Sequence, residues 1–232
     1  MAVVKYITAN ANVMKNRFGQ STWNNARGTN LTTSQGSNDG TTSGYEYLQV
    51  KSTKTGSRGG GSSYHNNRAF LQFDLRGVVP NSSVVESGVI RLWRTDGSGD
   101  GIRVVKATID DADLTTNNND YGKVIESGMS TAIDESWSNE STHGLSSENG
   151  YEEISLNSDG VQELQDCLLT PIASSSDIVG YFKVGIITEL DHDNSTPTGT
   201  TKDMRFSSIS AIEAQRPQLK ITFKPPVLRG NF

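Results

Sequence analysis

Cysteine is nearly absent from the 232-residue chain, which has Cys167 and no other. That excludes an intramolecular disulfide and any zinc site built on several thiolates. Apolar material is sparse too: hydrophobic residues make up 33% and aromatic residues 7%, with a mean hydropathy of -0.50, too lean for a thick helical core. No run of Lys or Arg interleaves with aromatics, and the net charge is -5 with a pI near 5.2. The electrostatic attraction that nucleic acid requires is therefore missing. No stretch approaches the roughly 20 apolar residues of a membrane span, and Met1 to Tyr6 does not open onto the apolar core of a secretory signal. Neither a membrane partner nor export by that route is expected. No repeat of fixed period appears, which argues against a solenoid or propeller.

What is present suits many short strands joined by polar loops, with 23 glycines to turn the chain. Alternation predicts strands at Val3 to Ala11, Tyr45 to Lys51, Arg68 to Leu75, Val84 to Arg94, Ile102 to Ile109, Glu152 to Leu156, Ile178 to Thr188, Asp203 to Ser208 and Gln218 to Phe223. In Arg68 to Leu75, the residues Ala69, Leu71, Phe73 and Leu75 share one face and Phe70, Gln72 and Asp74 the other, so one face must be core. Phe73, Leu92 and Ile221 are expected in one apolar layer. The loop Asp96 to Gly101 predicts a hairpin joining its flanking strands. Asn16 to Gly44 reads as a surface excursion anchored by Phe18, Trp23 and Leu31, and Ser52 to Asn67 as a flexible turn region. One substantial helix is predicted, capped by Ser158 or Asp159, with Val161, Leu164, Cys167 and Leu168 at helical spacing before Pro171. Cys167 on that stripe reads as a small buried hydrophobe. Pro225 and Pro226 end the last strand and leave a tail. The organisation predicted is an all-β, antiparallel two-sheet sandwich spanning 1–224, followed by a tail at 225–232.

Four segments resemble the DNRLRE-type domain, a carbohydrate-binding-module-like jelly roll of cell-surface and some viral structural proteins. They are Ala9 to Gly19, ending Arg17-Phe18-Gly19; Arg68 to Leu75 with Val79-Pro80 and Val84 to Trp93; Ile154 to Leu164; and Arg205 to Ser208 with Arg216 to Phe223. The chain departs from the family in its tryptophan-rich middle segment, which is reduced here to Ser136-Trp137-Ser138-Asn139. The resemblance implies a jelly-roll fold. Function must be argued from sites, because that fold hosts many.

Catalytic chemistry has little to stand on. His65, His143 and His192 lie in polar text without metal-binding spacing, and no Gly-x-Ser-x-Gly elbow joins a strand to a helix. No catalytic residue is assigned and no cofactor is expected. A structural calcium ion is the one ligand weighed, because Asp96, Ser98 and Asp100 alternate as in the first half of a calcium loop. The twelfth position, where a bidentate Glu belongs, is Ala107. Asp191 and Asp193 form a second oxygen-rich cluster, as do Asp110, Asp111 and Asp113, with a solvated loop the plainer reading of each. Trp23 and Trp137, in polar loops, are candidate platforms for stacking on a sugar, with packing beneath their loops the plainer reading, and Trp93 is assigned to the core.

The expected function is that of a non-catalytic virion structural protein, a capsid decoration, head fibre or tail component of a bacteriophage, located in the virion. Its partners would be other virion proteins or further copies of itself, with attachment to a host surface glycan as an added role. Docking is assigned to Met1 to Tyr6 and to the tail, through Val227, Leu228 and Phe232. The alternative is a carbohydrate-binding or adhesin module of a secreted protein, located outside the cell or on its surface.

Overall fold

A computed structural model of the chain describes residues 1–27, 37–38, 47–56, 61–80, 82–98, 101–107, 149–169, 180–199 and 202–226. Their strands are β1 (Val3–Thr8), β2 (Ala11–Gln20), β3 (Ser37–Asn38), β4 (Tyr47–Gly56), β5 (Ser62–Asp74), β6 (Val84–Ser98), β7 (Ile102–Lys106), β8 (Gly150–Ser155), β9 (Tyr181–Thr188), β10 (Lys202–Ser207) and β11 (Gln218–Lys224). Three helices accompany them, α1 (Trp23–Arg27), α2 (Ser158–Leu169) and α3 (Glu189–His192), with a 3-10 turn at Glu213–Gln215. The protein is mostly β-sheet, and the sheet is curled. Among the described residues every strand pairing is antiparallel, and all the strands join one hydrogen-bonded network.

The curl follows from the two longest strands, each of which divides one edge between two partners. Residues 69–72 of β5 pair with β2 and β9, whereas Tyr64, Asn66 and Asn67 pair with β2 and β4. The strands β4 and β9 therefore follow one another along the edge opposite β2. In β6, residues 89–91 pair with β11 and β8, while Arg94 pairs with Phe206 of β10 and Gly150 of β8. Here β10 and β11 succeed each other along the edge opposite β8. A strand that changes partner midway must twist between the two.

The main core fills the curl. Phe73, Leu92 and Ile221 meet in it as predicted, with Leu48, Phe182, Phe206 and Leu219. The helix α2 sends Leu164 and Leu168 into the same cluster. Its start is capped by Asn157, whose Oδ1 accepts from the backbone N–H groups of Asp159 (3.1 Å) and Gly160 (3.0 Å), rather than by Ser158 or Asp159. A second apolar cluster of Val13, Phe70, Val105, Ala107 and Ile187 lies on the other face of β5. That strand is buried on both sides, not on one.

Three local expectations are corrected. The hairpin expected across Asp96 to Gly101 is not formed: β7 pairs with β9, while the end of β6 from Arg94 to Ser98 pairs with β10. The region Ser52 to Asn67 is largely strand, since β4 runs on to Gly56 and β5 starts at Ser62. Within Asn16 to Gly44, β2 extends to Gln20 and α1 follows.

Gly97 fixes the junction of β6 and β10. Its φ is +112°, and a Cβ there would lie 2.2 Å from Asp203 O and 2.8 Å from Met204 Cα. Gly97→Ala is expected to lower stability by about 1–3 kcal/mol, read from the denaturant midpoint. Gly56→Ala, with nothing within 4 Å of the added carbon, is the control and should melt close to the wild type. Equal midpoints for the two variants would refute the crowding argument.

Candidate functional site

Two clusters of polar and aromatic side chains stand out, one buried and one on the surface. The buried cluster begins where β9 ends. Thr188 caps α3 by accepting from the backbone N–H of Asp191 (3.1 Å), and the short helix turns the Asp191 carboxylate inward. There Arg68 of β5 donates through Nε to Oδ2 (2.6 Å) and through Nη2 to Oδ1 (2.9 Å), while Arg27 of α1 donates through Nε to Oδ1 (3.0 Å). All three side chains are fully buried. Around them Ser52 Oγ donates to Asn66 Oδ1 (2.8 Å) and lies 2.5 Å from Thr188 Oγ1. Burial pushes the Asp191 carboxyl up, but Arg68, Arg27 and a hydrogen bond from Asn66 outweigh it and hold the group below the ordinary carboxylate range. With both oxygens committed to guanidinium donors, Asp191 clamps α1 and α3 to β5.

The surface cluster lies on the outward face of β1, β11, β6 and β8. The register lines up Tyr6, Lys220, Val89 and Ser155 in one row, Thr8, Gln218, Arg91 and Glu153 in the next, then Trp93 beside Tyr151. Their neighbours Leu219, Ile221 and Ile154 are buried on the opposite face. Arg91 is central, with its guanidinium carbon 4.0 Å from the Tyr151 ring centroid and 5.1 Å from that of Tyr6. Its Nε donates to Glu153 Oε1 (2.9 Å) and its Nη1 to Gln218 Oε1 (2.5 Å). Trp93 meets Tyr151 edge-on at 5.3 Å, and the Tyr151 hydroxyl is shared between Ala214 O and Arg216 O, each at 3.0 Å. Burial pushes the Tyr151 phenol up, with Arg91 opposing.

Several predicted site residues are placed differently. Trp23 is only 4% exposed, on α1, with its ring 6.3 Å from that of Tyr64, so it packs inward and cannot offer a face to a sugar. Trp93, assigned to the core, belongs instead to the outward face. Of the calcium candidates Asp96, Ser98 and Asp100, the first two lie in a strand rather than a loop. Asp96 and Ser98 are in β6, opposite Arg205 and Asp203 of β10, and a paired strand cannot wrap an ion as a loop does. Asp96 Oδ1 accepts from Gly97 N (2.7 Å), and its Oδ2 lies 3.3 Å from Arg205 Nη1. Asp191 and Asp193 do not converge on a cation either, because Asp191 is held by arginines and Asp193 Oδ1 lies 2.5 Å from His192 Nδ1. Among the described residues no group of three or more His, Cys, Asp or Glu side chains could hold a metal. Asp100, Trp137, Val227, Leu228 and Phe232 lie outside the described residues, as do Asp110, Asp111, Asp113 and His143.

Cys167 packs against the core, and its Sγ donates to Tyr181 O (3.4 Å). Burial, aided by Glu163 and Asp166, pushes its thiol up to about 12. Native protein at pH 8 is therefore expected to leave iodoacetamide essentially unreacted while urea-unfolded protein is labelled fully. Fast labelling of the native chain would contradict this.

No protein-family model matches the chain, and no curated protein does.

Proposed function

We propose that the chain is a non-catalytic virion structural protein, a capsid decoration, head-fibre or tail component of a bacteriophage, that works by docking β surfaces onto its neighbours. In this reading the curled sheet is a jelly-roll sandwich and residues 1–224 are one domain. The division of one edge of β5 between β4 and β9, and of β6 between β10 and β11, favours two facing sheets linked through β4 and β10. The observation that carries the functional reading is the outward surface of β1, β11, β6 and β8. There Tyr6, 54% exposed, lies against Arg91, and Val4 (49%) and Val84 (59%) are exposed further along β1 and β6, a combination suited to a protein partner. The decisive experiment is mass spectrometry of purified particles, which should find the chain at fixed stoichiometry with the capsid or tail proteins. Its absence from the particles would overturn the proposal.

A second reading, a glycan-binding module, draws on the aromatic side chains of that same surface. It predicts binding on a glycan array that is lost in Tyr6→Ala or Tyr151→Ala, with Trp137→Ala as a further test. An array without signal would dispose of it.

A further inference from the structure

We infer that β1 is a pairing edge for a second copy of this chain, joined across a two-fold axis through Tyr6. The inference deepens the assembly reading above and rests on it.

Among the described residues β1 pairs with β11 and with no other strand. Which of its backbone groups are engaged follows from the ladder. Ala9 N donates to Pro217 O (2.9 Å), and Ala9 opposite Pro217 continues the register Ile7 with Leu219, Lys5 with Ile221 and Val3 with Phe223. In an antiparallel pair, hydrogen-bonded and non-bonded positions alternate. The odd residues therefore bond to β11, and Val4, Tyr6 and Thr8 direct their N–H and C=O groups away from it. These same residues place their side chains on the outward face, with Val4 and Tyr6 well exposed. An unpaired row of donors and acceptors is a template for another strand.

A copy of β1 fits that template in one register better than in others. Most soluble homo-oligomers are closed by a two-fold axis, which makes the contact self-complementary. With the axis at Tyr6, Tyr6 faces Tyr6 of the second copy, Val4 faces its Thr8, and Lys5 faces its Ile7. All three outward residues of each copy then both donate and accept. Moving the axis to Lys5 sets two ammonium groups opposite each other, which destabilises; moving it to Ile7 leaves Val4 unpaired. A slip to an odd register turns the outward side chains to the wrong face. Lys5 thus selects the register. In the Tyr6 register the ladder Trp93, Tyr151, Arg91, Tyr6 runs on across the axis into its own mirror order.

Sedimentation velocity on the full chain tests this, with Tyr6→Pro as the informative variant. Proline at position 6 removes an outward donor and costs β11 nothing, since residue 6 does not donate to it, and edge strands tolerate proline facing solvent. The wild type is expected to dimerise, and Tyr6→Pro to raise the dissociation constant about tenfold or more while the monomer still folds and melts cooperatively, with only the small loss that follows from removing the Tyr6 ring from Arg91. Should Tyr6→Pro fail to fold, oxidation in a Cys167→Ser background replaces it: Tyr6→Cys should form a disulfide-linked dimer and Lys5→Cys should not. A chain that stays monomeric at every concentration overturns the inference, as does a dimer with equal cross-linking at both positions. Recovery of the protein from purified particles in either case would leave the assembly reading standing while removing this edge from it.

Discussion

Asp191→Ala is expected to cost about 3–5 kcal/mol of folding stability, enough to unfold a marginal domain. The loss comes from what remains, since Arg27 and Arg68 are fully buried and would keep their charges without the carboxylate that each now contacts. Asp191→Asn should be nearly as damaging, because it retains shape but not charge. The pH dependence has a definite sign. The folded carboxyl lies below its ordinary value, so its contribution is present above the unfolded value near 3.9 and is lost as pH falls through the folded value. Urea midpoints measured from pH 7 downward should fall more steeply below about pH 4 in the wild type than in Asp191→Asn. Parallel curves would show that Asp191 is not ionised in the folded protein.

Phe70→Ala is expected to destabilise as strongly as Phe73→Ala, by about 3–5 kcal/mol each. The two side chains lie on opposite faces of β5, and both are fully buried, Phe73 in the main core and Phe70 against Val13, Val105 and Ile187. A strand with one solvated face would give a large loss for Phe73 and a small one for Phe70. Chemical denaturation of the two variants separates these cases, and a Phe70→Ala loss under about 1 kcal/mol would mean that the second cluster is not sealed.

The same residues mark how far the amino-acid pattern could be read. Strong period-two alternation located β5 through Phe73, β6 through Leu92 and β11 through Ile221, because apolar spacing is the direct signature of a face turned to a core. It failed where burial is achieved by polar groups. Ser52, Thr53, Asn66 and Asn67 are as buried as the leucines, yet their composition is that of a loop, so the adjoining halves of β4 and β5 were hidden. The hairpin expected between β6 and β7 failed for a different reason. Proximity in sequence favours pairing, but β7 takes β9 as its partner and the end of β6 takes β10, both of which come much later in the chain.

The buried clamp shows the limit for sites. Asp191 and Asp193 are legible as an oxygen-rich pair, for which local text offers a solvated loop first and a cation second. The actual partners of Asp191 lie 123 and 164 residues away. The available hint was Arg68, a charge in step with Phe70 and Gln72 on one face of a strongly patterned strand, which demands a buried counter-charge. Nothing in the text nominated Arg27. The Arg91 ladder was legible only in retrospect, since Tyr6, Arg91 and Tyr151 belong to three strands whose register no single segment encodes.

Val3 faces Phe223 directly, at the outermost rung of the β1–β11 ladder. A load pulling these two residues apart would break that ladder one rung at a time, from the outside inward, instead of shearing all its hydrogen bonds together. That ladder is thus mechanically soft to tension between β1 and β11. Tethers fixed at those two points would leave it unstrained only if both pull from the same side.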